Sequence, residues 1–342
     1  MGTWHDWLPT ERQLCGLLQA SRNTIRAAIK QLKAERLVVS EKPTGNRIVA
    51  NASRLGKSRK NKSIGIIVPE ALNNLRPMIS LWIDELKDML LEEGCSLRIY
   101  DGQSYYRANS ARALERLVKQ SGQDAWVLVL SSKSMQQWFA RHNIRCLVAG
   151  STYPEIQLPF CDLDYRAVCR HAAGVLIRAG HARITLLNHE VPRAGEIAGE
   201  RGFYDAIDSI AGLHSKCNIV YHRETVDSIA AALKKIGLGK AGFPTALIVN
   251  SPYAYLTVMT LLASKHFRIP EDVSLISRDD DTLLNAIFPA PARYTVKPQA
   301  FARRFIGPIM RLIHGRPNSM GGSYFLPKFV SGKSVSFPRH AI

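Results

Sequence analysis

The chain is 342 residues long, 46% hydrophobic, and carries a formal net charge of +18. That length accommodates two or three domains, and that apolar fraction supports a sizeable core, which excludes a disordered or fibrous protein. No apolar run approaches the roughly 18 residues of a membrane span, and "MGTWHDWLPTE" lacks the charged head and apolar core of a secretory leader, so a cytoplasmic protein without a membrane partner is expected.

The charge is uneven. Residues 1–62 hold 13 Lys/Arg against four acids, half of the excess in under a fifth of the length, which points to a polyanion as partner of that end. Within it, residues 8–50 predict helix, turn, helix and two short strands. Thr10 and Glu11 suit the start of the first helix, with Leu14, Leu17 and Leu18 as its apolar face. Ser21 caps the second helix. At 100° per residue, Arg22, Arg26, Lys30 and Lys33 share an arc of roughly 80°. Ile25, Ala28, Ile29 and Leu32 fill a neighbouring arc of about 100°. One face can bury itself while the other offers arginines and short polar side chains to base edges and phosphates. "LVVSEKPTGNRIVA" predicts a hairpin tipped by Gly45, and "NASRLGKSRKNK", residues 51–62, reads as a basic linker.

From Ser63 continuous apolar strands alternate with helices. The strands are "SIGIIVP", "CSLRIYD", "AWVLVLSS", "IRCLVAG", "ITLLN", "NIVY", "TALIVN" and "VSLIS". Helices are expected up to Glu93, near 107–120, over 164–179, near 200–211, and over 226–236 and 252–265. Such alternation predicts parallel sheets covered on both faces, and the number of units calls for two doubly wound lobes. The fold class expected is α/β, with domains at 1–50, a linker at 51–62 and a two-lobed domain at 63–342. Lobe one takes about 63–161 and 291–321; lobe two takes about 162–290 and 322–342.

The chemistry-bearing residues of this region point away from catalysis. The six cysteines (Cys15, Cys95, Cys146, Cys161, Cys169, Cys217) form no C-x-x-C and lie mostly in apolar stretches. They read as buried small hydrophobes in a reducing compartment, and no metal or cofactor is expected. His181, in "AGHARI", reads as a turn histidine bonded to backbone, because no nucleophile and orienting group accompany it. "GLGKAG" lacks the Lys-Ser/Thr of a phosphate loop.

"LPTERQLCGLLQASRNTIRAAIKQLKAERLV…TGNRIVA" resembles the GntR-type winged helix through Leu8, Pro9, Thr10, Glu11, Arg12, Ser21, Arg22, Thr24, Arg26, Ala28, Leu32 and Leu37. The resemblance implies double-stranded operator DNA as partner, with Arg12, Ser21, Arg22, Asn23, Thr24, Arg26 and Gly45 as contacts; Arg47, beside Gly45 on the hairpin, joins them. Arg36 stands where that family usually has Gly. The family also carries a helix before the Leu-Pro, where only seven residues stand here, so either upstream in-frame codons encode it, the reading expected, or the product lacks a core helix and binds DNA poorly.

"LDYRAVCRHAAGVLIRAGHARITLLN", "RGFYDAI", "PTALIVNSPYA", "IPEDVSLISRDD" and "ARYTVKPQ" resemble, in order, segments of the LacI/GalR effector-binding core. Asp164, Gly180, His181 and Ile184 carry the longest match. The resemblance implies a periplasmic-binding-protein-like fold, a homodimer, and one small effector, a sugar or sugar derivative, held between lobes. Two sugar-holding positions differ: the family's arginine is Gly199 and its aspartate is Ser251. The remaining candidates are Asn74, Arg76, Ser131, Asp164, Arg201, Asn250, Ser251 and Asp279. A ligand-controlled transcription regulator, a repressor by the habit of both families, is the function expected. A ligand sensor or solute-binding module that binds no DNA, with a degenerate first domain, is the alternative, and an enzyme of the cleft is the third reading.

Overall fold

The computed structural model describes residues 7–18, 20–34, 38–41, 45–48, 62–315 and 321–338. Arg36, Leu37, the tip of the hairpin and linker residues 51–61 lie outside them. The chain divides into two compact units, residues 1–61 and 62–342.

The first unit holds α1 (Glu11–Leu18), α2 (Arg22–Ala34), β1 (Val38–Glu41) and β2 (Gly45–Ile48), the strands paired antiparallel. Thr10 and Gln13 cap α1 reciprocally: the Gln13 N–H donates to Thr10 Oγ1 at 3.4 Å and the Thr10 N–H to Gln13 Oε1 at 3.0 Å. Leu14, Ile25 and Ile29 bury together between the helices. The helical face is narrower than expected. Leu17 and Leu18 are 64% and 55% exposed, Ala28 is exposed and Leu32 half-buried. Two short helices cover only one side of each other.

In the second unit the order is β3 (Lys62–Val68), α3 (Pro77–Glu92), β4 (Cys95–Asp101), α4 (Ala111–Ser121), β5 (Ala125–Val129), α5 (Lys133–Arg141), β6 (Cys146–Ala149) and β7 (Phe160–Leu163). There follow α6 (Tyr165–Arg178), β8 (Ile184–His189), α7 (Ala194–Ile207), β9 (Asn218–His222), α8 (Val226–Lys235), β10 (Ala246–Val249), α9 (Pro252–Ser264), β11 (Ser274–Ser277) and β12 (Ala292–Thr295). Last come α10 (Pro298–Ile313), β13 (Ser323–Phe325) and β14 (Lys328–Val330). Two six-stranded sheets result, ordered β13-β7-β6-β5-β3-β4 and β14-β12-β11-β10-β8-β9, parallel except for β14. The apolar strands fill the middle of each sheet because helices cover both faces.

The lobe boundaries differ from those expected by a few residues. β7 reaches Leu163 and β13 lies at 323–325, both in the first sheet, while β12 at 292–295 pairs with β11 in the second. The chain therefore crosses between lobes around 164, 296–297 and 326–327, where strands end rather than where apolar runs end. The helix expected near 200–211 begins at Ala194.

One glycine decides the packing of the second lobe. A Cβ on Gly202 would lie 1.9 Å from the Arg166 carbonyl oxygen, a backbone atom of the neighbouring helix α6. Gly202→Ala must push α6 and α7 apart, and a loss of about 1–3 kcal/mol is expected, read as a lower melting temperature.

Candidate nucleic-acid interface and effector cavity

The start of α2 combines a cap with exposed cations. Ser21 Oγ accepts from the Thr24 N–H at 3.2 Å and lies 2.8 Å from Thr24 Oγ1, so both hydroxyls are fixed at the helix entry. Arg22, Asn23, Thr24 and Arg26 are all exposed, while Ile25 and Ile29 are buried against α1. Arg26 Nε donates to Glu11 Oε2 at 2.9 Å, which anchors that arginine to α1. Arg12 is exposed on α1. Gly45 opens β2 with φ of 123°, a conformation open to glycine and costly for other residues. Arg47, on the same strand, pairs with Glu41 across the hairpin at 3.3 Å. Helix entry and hairpin thus present cations to solvent.

The second unit holds a cavity of about 170 Å³ between its sheets. The ends of five strands reach it: β5 with Leu130 and Ser131, β6 with Gly150 and Ser151, β7 with Asp162 and Leu163, β11 with Arg278, Asp279 and Asp280, and β12 with Tyr294 and Val296. Carboxyl ends of parallel strands are where such folds collect ligands. The start of α7 adds Arg193, Gly195 and Glu196, and α3 and α10 supply an apolar wall with Trp82 and Phe301. Their rings meet edge-on, 5.3 Å between centroids.

Charges inside it are layered. Arg278 is 5% exposed and its guanidinium lies over the Tyr165 ring, 4.5 Å from the centroid. It donates to Asp279 Oδ2 at 3.2 Å and stands 4.0 Å from Glu196. Arg76, from the first lobe, reaches the same Asp279 oxygen at 3.4 Å, an ion pair joining the lobes. Asp280 turns instead to Arg293 at 2.7 Å. Asp279 Oδ1 and Arg278 Nε are buried and hydrogen-bonded to nothing among the described residues.

Asp162 lines the same cavity. Burial pushes its carboxyl up to about 7, against the lowering pull of hydrogen bonds from Ser151 Oγ at 2.6 Å and from the Leu163 N–H. A carboxyl protonated in the folded state binds a proton that the unfolded chain has already lost. Its contribution is complete below about pH 4 and fades as pH rises through 7. The melting temperature of Asp162→Asn, measured from pH 4 to 8, is expected to lack this downward component when compared with the parent.

Of the residues anticipated from the sequence, Arg76, Ser131 and Asp279 line the cavity. The others do not. Asn250 is buried against His222, Oδ1 to Nε2 at 3.0 Å, and Ser251 caps α9 by accepting from the Ala254 N–H. Asp164 caps α6 through the Ala167 N–H at 2.9 Å. Arg201 and Asn74 are exposed outside the cavity. Position 199 is closed, since a Cβ there would lie 3.0 Å from Cys169 Sγ. Sequence reasoning missed Asp162, Tyr165, Arg193, Glu196 and Arg278; only Arg278, directly after a strand, carried a readable signal. His181 is a structural group, bonded to Thr245 Oγ1, Ser274 Oγ and the Ser336 carbonyl at 2.9–3.1 Å. Five of the cysteines are buried, and Cys15 is half-buried. No helix among the described residues is long and apolar enough to cross a membrane.

Comparison with known proteins places both units. Residues 3–48 match bacterial regulatory proteins of the gntR family, and residues 173–335 match a periplasmic binding protein-like domain. The chain is 27% identical over 130 residues to the HTH-type transcriptional regulator CelR of Thermobifida fusca, 38% of each chain. It is 29% identical over 122 residues to the HTH-type transcriptional regulator AglR of Rhizobium meliloti (strain 1021), covering 36% of this chain and 34% of that one. These matches span less than two-fifths of the relatives' lengths. In fold it is similar to a transcriptional regulator CelR–cellobiose complex, with TM-score 0.69 and 18% identity, covering 96% of this chain and 100% of that one. A LacI family transcriptional regulator from Enterococcus faecium with bound ribose gives TM-score 0.65 at 18% identity, covering 81% and 99%. The chain therefore joins a segment that matches the gntR family of bacterial regulatory proteins to a two-lobed domain that matches the periplasmic binding protein-like domain.

Proposed function

We propose that the protein is a cytoplasmic, sequence-specific transcription regulator, a repressor, that binds operator DNA as a homodimer and is controlled by a small effector between the lobes. The observation that carries this reading is the entry of α2, where Arg22, Asn23, Thr24 and Arg26 are exposed in the segment matching the gntR family. Arginine pairs bidentately with guanine and asparagine with adenine. Arg12, Ser21, Gly45 and Arg47 complete the contact set, chiefly toward phosphates. Cellobiose and ribose in the similar structures support a sugar or sugar derivative as effector. Arg76, Ser131 and Asp279 remain the effector contacts proposed from the sequence, joined by Arg278 and Glu196.

Fluorescence anisotropy on DNA selected from a random pool tests the reading. Affinity is expected to fall with rising salt, by a logarithmic slope of about −0.9 for each phosphate neutralised. Failure to select any sequence leaves a ligand sensor in place of a regulator.

The outer side of α9 supports the dimer. The helix contains no charged residue, and Tyr253 and Leu256 are exposed on it in a chain of net charge +18. An uncharged exposed face suits a second copy. Leu256→Asp is expected to weaken self-association at least about tenfold, or 1.4 kcal/mol, as measured by sedimentation equilibrium.

A further inference from the structure

Resting on the cavity as the effector site, we propose that the effector is a hydroxylated carboxylate, such as an acidic sugar, and that Arg193 is the residue that selects its charge. Three arginines line the cavity, Arg76, Arg193 and Arg278. Two of them are already committed. Arg76 and Arg278 share Asp279, and Arg278 also faces Glu196. Asp280 is drawn to Arg293. Among the described residues, no carboxylate lies within ion-pair distance of Arg193, the residue before α7, whose own backbone N–H donates to Glu196 Oε2 at 2.7 Å.

The balance of the lining is therefore one positive charge in excess: three arginines against Asp279 and Glu196. Asp162 cancels it only in part at neutral pH, because burial raises its carboxyl to about 7. The N-terminal end of the α7 dipole adds to the same sign of potential. A neutral ligand would leave this excess in a mostly apolar site, whereas a carboxylate forms charge-assisted bonds with it. The polar groups of the lining suit hydroxyl groups on the ligand as well. Ser131 and Ser151 offer further hydroxyl partners, and Trp82 and Phe301 face the apolar side of such a molecule.

The test pairs acids with neutral analogues of the same shape. Full-length protein is titrated calorimetrically at fixed ionic strength with glucuronate and glucose, galacturonate and galactose, gluconate and glucitol. At least one acid is expected to bind about tenfold or more tighter than its neutral partner. Arg193→Gln is expected to abolish that preference and Arg193→Lys to retain part of it. Equal or tighter binding of the neutral partners overturns the proposal, as does an acid preference that survives Arg193→Gln, or absence of binding by all three acids. Operator binding by the first unit, measured without effector, fails or stands separately from these results.

Discussion

Replacing Arg22 and Arg26 together by alanine is expected to lower operator affinity by about 2–6 kcal/mol, from about 1–3 kcal/mol for each arginine. Both side chains are exposed at the entry of α2, and neither contributes to the apolar contact between Ile25, Ile29 and Leu14 that holds the helices together. The double variant should therefore keep its fold. The two positions differ in one respect. Arg26 is held by Glu11, an exposed pair worth about 0–1 kcal/mol to stability. Arg26→Ala carries that small structural cost, and Glu11→Ala frees Arg26 without removing its charge. If Arg26 reaches a phosphate, the salt slope of the single variant drops by about one; if Arg22 reads a base, its loss relaxes sequence choice with little change in slope. Unchanged affinity in the double variant would remove the recognition-helix assignment.

How far the chain could be read in advance follows from which interactions are local. The α2 pattern was legible because a helix turns its own periodicity into two faces, and Ile25 and Ile29 need only one partner helix. The two lobes were legible because buried parallel strands are continuous apolar runs. The cavity was legible only at polar residues that follow a strand end and line it, as with Ser131 and Asp279. Asn250 and Ser251 end β10 in the same way, but α9 starts at once, so Ser251 serves as its cap and His222 takes Asn250. Arg193 and Glu196 were hidden because α7 starts six residues earlier than its apolar pattern, on a cap made by the Glu196 side chain. Arg201 lies two residues from Gly199, about 200° around the helix, and faces out. Sequence spacing carries no information about which of two neighbouring helices closes over a given strand end.

Arg278→Met is expected to destabilise the second unit by about 3–5 kcal/mol, the cost of removing one partner from a buried ion pair. Arg278 is 5% exposed and is the charge that Glu196 and Asp279 both face. Methionine fills much of the volume beside Tyr165 but leaves two carboxylates in an apolar pocket, with Arg76 alone against Asp279 at 3.4 Å. At about 2–4 °C per kcal/mol for a domain of this size, the melting temperature should fall by roughly 6–20 °C. Adding Glu196→Gln should restore part of the loss. The amide oxygen can still accept from the Arg193 N–H, so the cap of α7 survives while one uncompensated charge disappears. Arg278→Lys should fall between the parent and the methionine variant, because an ammonium lacks the planar fork that spans Asp279 and the tyrosine ring. A double-mutant cycle between positions 278 and 196 reads their coupling directly. A Glu196→Gln change that stabilises the parent as much as it stabilises Arg278→Met would show that the two groups do not interact, and that the guanidinium is held by Asp279 and Tyr165 alone.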